Sequence, residues 1–174
     1  MSKLLLCLLE RKAKYMFKAV RKKINEIDHS TAESLLQSNR RGIIAMNGDN
    51  GYPYAIPINY FYDCDKKKIY FHGAKAGHKV ESLKASDKIC FTVYGNERID
   101  EAESWAPYVQ SVVVFGRCRL LKAGPESIDR LKEFAMKYYP DEALADEQIA
   151  RNGRATQMFE ITIEHMSGKQ VQEK

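Results

Sequence analysis

The chain has 174 residues, a formal net charge of +5 and 44% hydrophobic residues, which is typical of one globular domain with a substantial core. The basic residues are scattered rather than gathered into a stripe with aromatic neighbours, which argues against nucleic-acid binding. The cysteines lie far apart in sequence and indicate neither a zinc site nor a secreted disulfide framework, so we expect a cytoplasmic protein. They are Cys7, Cys64, Cys90 and Cys118.

The N-terminal segment, residues 1–15, reads as an extension ahead of a single domain that spans residues 16–174. Its apolar run, Leu4–Leu9, is much shorter than the roughly 20 residues that cross a bilayer. No small-residue cleavage site follows the run. We therefore expect no membrane span, no signal peptide and no chemistry from this segment.

The domain begins with a predicted helix and hairpin. Ser30 followed by Glu33 has the form of a capping box, with Ser30 as the N-cap, and predicts a helix through about Leu36. Gly42–Met46 is a compact apolar run that indicates a buried strand. Asn47–Gly51 then contains the residues that favour a tight hairpin turn.

The next predicted strand, Tyr52–Tyr62, contains Pro57. Proline lacks a backbone donor, so it belongs at a sheet edge, a bulge or a strand start. A bulge would leave backbone groups free for a ligand. The alternative is an irregular edge strand with half-buried tyrosines, and this segment alone favours neither.

The stretch from Lys68 to Ala85 changes character halfway along. Lys68–His72 alternates as a strand does, Gly73–Gly77 is small, flexible and basic, and His78–Ala85 predicts a short helix. The free amides and dipole of a helix N-terminus favour an anion. The segment therefore predicts a phosphate site, although the spacing is not that of a Walker motif. The alternative is a tight connection with solvated lysines.

The rest of the chain predicts a strand, a polar loop, a long interior strand, two helices, a last strand and a polar tail. The first of these helices starts near Pro125, ends at Pro140 and places Ile128, Leu131, Phe134, Ala135 and Tyr138 on one face. About six strands joined mainly by tight turns favour a small antiparallel barrel with peripheral helices, an α+β fold that is mainly β. The other segments are Lys88–Tyr94, Gly95–Pro107, Tyr108–Leu121, Asp141–Arg151, Met158–Glu164 and Met166–Lys174.

Four segments together resemble a known family. They are GYPYAIPINYFYD, IYFHGAKAGHKVESLK, YVQSVVVFGR and FEITIEHMSGK, in that order. Their order and spacing resemble the pyridoxamine 5′-phosphate oxidase-related split β-barrel flavoproteins, and within them the nitroimidazole-resistance (Nim-like) branch. The resemblance covers roughly residues 17 to 169. It implies a six-stranded antiparallel split β-barrel of the FMN-binding type and a homodimer that holds FMN at its interface.

The resemblance also implies particular flavin contacts. In the family a bulged strand lies along the flavin ring, the end of the next strand contacts ring and ribityl, and a basic pair that opens the helix holds the phosphate. The fifth strand adds a polar residue, usually from the partner chain. Mapped onto this chain, the contacts are Pro57, Ile58, Asn59, Tyr60, His72, Gly73, Ala74, His78, Lys79, Gln110 and Ser111.

The resemblance has two departures that bear on activity. Pyridoxamine 5′-phosphate oxidases have an arginine where this chain has His78, and their C-terminal Trp- and Arg-containing segment has no counterpart after Ile163. We therefore do not expect oxidation of pyridoxamine phosphate. In Nim-like proteins a histidine near the flavin is linked to the active site, and His72 is the best match.

The functional hypothesis is an FMN-dependent oxidoreductase that acts on a small aromatic or nitro compound, with His72 as the catalytic residue and NAD(P)H as a candidate electron donor. Flavin would supply the electron chemistry. The alternatives are a flavin carrier or sensor without catalysis, and the same barrel holding haem or a deazaflavin. The four histidines share no metal-ligand spacing, so we expect no metal site. Trp105 favours packing over flavin stacking.

Overall fold

The structure, a computed structural model, describes residues 17–100 and 104–172, with backbone only for residues 100, 104–106 and 172. The predicted extension and the side chain of Trp105 lie outside the described residues. The helices are α1 (His29–Ser38), α2 (His78–Ala85), α3 (Pro125–Met136) and α4 (Glu142–Asn152). The strands are β1 (Arg41–Asn47), β2 (Pro53–Asn59), β3 (Phe61–Asp63), β4 (Lys68–Ala74), β5 (Lys88–Asp100), β6 (Ser104–Leu120) and β7 (Thr156–Gln172).

The seven strands form one antiparallel sheet in the order β2-β1-β5-β6-β7-β4-β3. The two edge strands, β2 and β3, are joined along the chain by Tyr60 alone. A one-residue connection between opposite edges requires the sheet to curl until those edges meet. The predicted split barrel with peripheral helices is therefore confirmed. The seventh strand arises because the predicted strand Tyr52–Tyr62 divides at Tyr60.

The barrel interior is formed by alternate residues of each strand, as the pleat of a β-sheet requires. In β1 the buried residues Gly42, Ile44 and Met46 alternate with more exposed ones. Helix α1 contributes Ala32, Leu35 and Leu36 to the same cluster. The largest side chains in this core include Tyr60, Phe71, Phe91, Phe159, Ile44, Ile69 and Ile161.

The long strands β5, β6 and β7 correct two predictions. Gly95–Pro107 was predicted as a loop, but β5 continues to Asp100 and β6 starts at Ser104. The last strand was predicted to end at Glu164, ahead of a polar tail over Met166–Lys174, but β7 pairs with β6 as far as Gln172. Polar composition misled both predictions, because the ladder hydrogen bonds between strands do not depend on side-chain hydropathy. The interior position predicted for the long strand is confirmed, since β6 lies between β5 and β7.

The helix ends and faces differ from the predictions in two places. The N-cap of α1 is Asp28 rather than Ser30, and its carboxylate accepts the Thr31 amide at 2.8 Å. In α3, Pro125 follows the N-cap Gly124 as predicted. Ile128 was predicted on the buried face of α3, but 56% of it is exposed, because the helix meets the sheet only near its C-terminal half. None of the described helices is both long and apolar enough to cross a membrane.

A buried carboxylate joins three strands beneath α3. Glu160 on β7 is paired in register with Tyr70 on β4 and Arg119 on β6, and it is 2% exposed. Its oxygens accept hydrogen bonds from Arg119 Nε at 2.7 Å, Lys68 Nζ at 2.9 Å and the Tyr70 hydroxyl at 3.1 Å. Burial alone would raise the pKa of Glu160, but these donors hold that pKa at about 2.

Candidate functional site

The strand–loop–helix segment is folded as its sequence predicts. Strand β4 ends at Ala74, and α2 begins at His78 after Gly77, whose φ of 111° is favourable only for glycine. Apart from the residues next to it in the chain, no atom of the described residues lies within 4 Å of the position that a β-carbon of Gly77 would take, so the loop backbone is open on that side. The first amides of α2 have no acceptor within the helix, and they face this open loop end.

The His78 side chain is held by the β1–β2 turn. Its ring stacks on Tyr54 with 4.0 Å between centroids, and its Nε2 lies 3.3 Å from a carboxylate oxygen of Asp49. The turn itself contains Asn50 and Gly51, both with positive φ, as the sequence predicts. The imidazole is therefore placed at the mouth of the loop, next to an acidic group.

Lys79 lies inside the barrel wall rather than over the loop. Its ammonium lies 5.3 Å from the ring centroid of Phe71 and 5.2 Å from that of Phe159. A β-carbon at Gly73 would be 2.5 Å from the Lys79 nitrogen, so any other residue at this position would push the Lys79 ammonium aside. Burial lowers the pKa of Lys79, and the ammonium forms no hydrogen bond or ion pair with the described residues.

Four predicted flavin contacts lie at the end of β2, and their side chains alternate between the inner and the outer face of the barrel. They are Pro57, Ile58, Asn59 and Tyr60. Ile58 and Tyr60 point into the core, and the Tyr60 hydroxyl donates to the Leu36 carbonyl at 2.6 Å. Pro57 and Asn59 are exposed on the outer face. Pro57 lies in the middle of a regular edge strand, opposite Ile43, without a bulge at that position. Thus only Pro57 and Asn59 present side chains to a ligand outside the barrel.

Asn59 and His72 line one cleft, where β2 and β4 approach each other. The opposite wall comes from α3, α4 and the residues that follow them, and the cleft volume is about 230 Å³. We call it the α3–α4 cleft. Its lining residues are Asn59, His72, Leu131, Phe134, Ala135, Tyr138, Tyr139, Gln148, Ile149, Asn152, Gly153 and Thr156.

The His72 ring meets the Phe134 ring edge to face, with 4.8 Å between centroids. Burial, and then the nearby Lys79 charge, lower the pKa of His72 from its ordinary value of 6.5. The imidazole is therefore mainly neutral at pH 7. A neutral imidazole can accept or donate a hydrogen bond.

The two predicted contacts on β6 lie apart from this cleft. Ser111 is on the outer face of β6, opposite Tyr94 and three strands away from β2. Gln110 is 8% exposed, and its amide accepts from Asn96 at 2.7 Å and donates to the Tyr108 hydroxyl at 2.8 Å. Within one chain neither residue approaches His72.

Sequence reasoning missed the helical wall of the cleft. The Tyr138 hydroxyl accepts the Tyr60 amide at 2.8 Å, which holds the break between β2 and β3 beside Asn59. Gln148 and Asn152 were treated only as part of a helix. Their i, i+4 spacing beside Ile149 could have indicated a shared face, but not which strand that face meets. A larger hollow of about 610 Å³ beside Asp63 contains none of the predicted site residues.

Solved structures share this architecture. A protein from Bacteroides thetaiotaomicron VPI-5482, described as a candidate 5-nitroimidazole antibiotic resistance protein, is 20% identical with a TM-score of 0.70, over 83% of this chain and 86% of that one. The flavocytochrome Anf3 from Azotobacter vinelandii is 22% identical with a TM-score of 0.72, over 90% and 74%. A FAD-binding protein from Mycobacterium smegmatis is 18% identical with a TM-score of 0.56, over 86% and 99%. The shared fold defines this chain as a split-barrel protein.

The sequence comparison is more specific. The profile of the family described as pyridoxamine 5′-phosphate oxidase matches residues 28–170. The chain therefore belongs to the pyridoxamine 5′-phosphate oxidase family. The comparison with curated proteins gave no match.

Proposed function

We propose that this protein is an FMN-binding oxidoreductase that reduces a small aromatic or nitro compound and acts as a homodimer. The observation that carries the proposal is that Asn59, at the end of β2, and His72, on the strand β4 that leads into the open loop before α2, line one cleft. The structural relatives described as a flavocytochrome and a FAD-binding protein support a flavin as the cofactor class.

The loop before α2 fits a single phosphate. Gly77 leaves its backbone open, and the N-terminus of α2 favours an anion. FMN ends in one phosphate group, which suits one helix N-terminus. Pro57 and Asn59 on the outer face of β2 would then contact the flavin ring, with His72, Gly73 and Ala74 along the neighbouring strand.

His78 and Lys79 are the proposed phosphate ligands, and each must compete with contacts within the chain. His78 lies beside the carboxylate of Asp49. Lys79 rests against the rings of Phe71 and Phe159, so its ammonium would have to swing toward the loop to reach an anion. A phosphate would offset the desolvation that lowers the pKa of Lys79.

Bound flavin would accept electrons from a donor such as NAD(P)H and pass them to the acceptor. The protein's part is to exclude water and orient the acceptor in the cleft against the His72 imidazole. Because His72 is mainly neutral at pH 7, its proposed role is a hydrogen bond to the acceptor. Removing it should lower turnover without releasing the cofactor.

The outer face of the β2–β1–β5–β6 part of the sheet supports the homodimer. Directly paired residues lie on one side of a sheet, so Ile43, Pro57, Thr92 and Val113 form one row across it. Ile43 is 39% exposed and Tyr94, on the same face, is 63% exposed. A second copy on this face would cover these residues and bring its own β6, with Ser111 on the outer face, toward the flavin.

The first experiment is the absorption spectrum of the purified protein, followed by identification of the released cofactor. FMN predicts a yellow protein with bands in the blue and one FMN per chain. A haem spectrum, a deazaflavin or FAD would each contradict the FMN proposal. NAD(P)H oxidation with a nitroaromatic acceptor then separates an enzyme from a carrier, because a carrier shows no turnover.

The second experiment tests Lys79 with a matched control. Lys79→Met keeps the apolar stem and removes the charge, whereas Lys84→Met removes an exposed charge from the last turn of the same helix. A phosphate contact predicts weaker FMN binding by about 1.5–3 kcal/mol for Lys79→Met only. Equal affinities in a fluorescence titration would remove Lys79 from the phosphate site.

The third experiment tests the dimer. Light scattering at micromolar concentration should give twice the chain mass, and Ile43→Lys should shift the protein toward the monomer. Ile128→Lys is the matched control, because Ile128 is an equally apolar residue that is 56% exposed on α3, away from the proposed interface. A wild-type monomer that still holds its cofactor would refute the homodimer.

A further inference from the structure

We propose that the α3–α4 cleft selects an uncharged, planar ligand of one or two rings, and that the side-chain amides of Gln148 and Asn152 recognise it. The cleft holds about 230 Å³, below the roughly 300–1,000 Å³ of drug-sized pockets. That volume suits a small ring compound. The assignment of this ligand as the electron acceptor rests on the proposed function. The binding of the ligand in the cleft does not depend on that function.

The charge of the ligand follows from the lining of the cleft. Its twelve described lining residues include no aspartate, glutamate, lysine or arginine. The lining histidine, His72, is mainly neutral because burial lowers its pKa. A phosphate or carboxylate in this cleft would lose water without gaining a cation from the lining, which is costly. The same argument excludes an ammonium group.

The shape of the ligand follows from the aromatic wall. Phe134 stacks on Tyr138 with 4.8 Å between ring centroids and meets the His72 ring edge to face. Leu131 and Ile149 add apolar surface between the two helices. Rings prefer offset-stacked or edge-to-face contacts with one another, so these side chains favour a flat, unsaturated ligand.

Two of the other polar lining groups are already engaged, whereas Asn59, His72 and Tyr139 form no side-chain hydrogen bond with the described residues, so the α4 amides share the polar recognition with them. The Tyr138 hydroxyl is bonded at the break after β2, and the Thr156 hydroxyl donates to the Asn152 carbonyl at 3.1 Å. The Asn152 amide nitrogen lies 3.3 Å from the Gln148 amide oxygen. That single bond leaves the Gln148 NH₂ group and the Asn152 amide oxygen without a hydrogen bond to any of the described residues.

One free NH₂ group and one free amide oxygen remain whichever way the two side-chain amides are oriented. If both amides are turned over, the bond between them persists with donor and acceptor exchanged. One NH₂ group and one oxygen are left in both cases. The ligand should therefore carry an acceptor, such as a nitro oxygen or a ring nitrogen, and a nearby N–H donor.

The test compares two probes that differ only in charge. 4-Nitrobenzamide is uncharged, whereas 4-nitrobenzoate has nearly the same shape and carries a negative charge at pH 7.5. Binding is measured by calorimetry on the protein as purified. We expect 4-nitrobenzamide to bind at least tenfold more tightly than 4-nitrobenzoate.

Variants of α4 connect the selectivity to named residues. Gln148→Ala should weaken 4-nitrobenzamide binding about three- to tenfold, the range of one net hydrogen bond. Gln148→Lys places a cation in the lining and should shift the preference toward 4-nitrobenzoate. Glu147→Ala, an exposed neighbour on the same helix, should change neither affinity. Cofactor content should be the same in all four proteins.

Three results would overturn the inference: no binding of either probe, equal affinity for both, or an unchanged preference in Gln148→Lys. Failure of the proposed function gives a different result. If the protein is colourless but still prefers 4-nitrobenzamide, the flavin proposal is refuted and the inference about the ligand cleft stands. A flavin-containing protein that reduces both probes equally well and binds them equally refutes the cleft inference alone.

Discussion

The buried carboxylate of Glu160 leads to a pH-dependent stability prediction. The pKa of this carboxyl is about 2 in the folded chain, against an ordinary value of 4.5. At about 1.4 kcal/mol for each pKa unit, the difference corresponds to about 3 kcal/mol of folding free energy at neutral pH. Arg119 is 54% exposed, which screens its part of this interaction. We therefore expect Glu160→Gln to lower the free energy of unfolding by about 2–3 kcal/mol at pH 7.

The sign of the pH dependence follows from the lowered pKa. A carboxyl whose pKa is lower in the folded state stabilises the protein fully above its unfolded pKa of about 4.5, and it loses that contribution as the pH falls toward about 2. The gap in stability between wild type and Glu160→Gln should therefore narrow by about 1 kcal/mol between pH 7 and pH 3.5. Other carboxylates, such as Asp28, titrate equally in both proteins and cancel in the difference.

The assay is urea unfolding followed by circular dichroism at several pH values. Glu164→Gln is the matched control, because Glu164 is on the same strand and accepts from Arg117 at 2.7 Å, but near the surface. That exposed pair should be worth about 0–1 kcal/mol. The reasoning fails if Glu160→Gln is no more destabilising than Glu164→Gln, or if its effect is the same at pH 7 and pH 3.5.

Three further predictions test the core and the strand break. Tyr138→Phe removes the acceptor of the buried Tyr60 amide, and urea unfolding should show a loss of about 1–3 kcal/mol; an unchanged midpoint would contradict this. Gly42→Ala would place a β-carbon 2.3 Å from the Phe91 ring, and thermal unfolding should reveal about 1–3 kcal/mol of destabilisation, whereas wild-type stability would show that the ring can move. Burial raises the pKa of Cys118 to about 12, so peptide mapping should find it alkylated only in denaturant, and labelling of the native protein would refute its burial.

The agreement between sequence and structure is best where local chemistry decides the conformation. Positive φ at Gly51 and Gly77 follows from glycine's lack of a β-carbon, and the start of α3 follows from Pro125. The predicted α1 cap was wrong because Asp28 and Ser30 both have side chains that can cap. Only the direction of the incoming chain selects Asp28, whose carboxylate accepts both the Thr31 amide and the Ser30 hydroxyl.

The barrel type could be predicted because alternation and turn residues indicate about six strands, joined mainly by tight turns. Strand length could not, because β5, β6 and β7 extend through polar sequence by pairing with one another. The β4–α2 loop was a candidate phosphate site from its own residues, and the likeness of the four segments to a known family assigned that phosphate to FMN. The family assignment now follows from the match to residues 28–170.

The side-chain environment of the site was decided by tertiary structure alone. Strand alternation separates Pro57 and Asn59 from Ile58 and Tyr60, but only barrel closure brings Asn59 next to His72. The helical wall with Gln148 comes from residues about 75 positions after His72 in the chain. A sequence pattern reports the face of an element, whereas the meeting of two faces depends on how the sheet curls and where the helices pack.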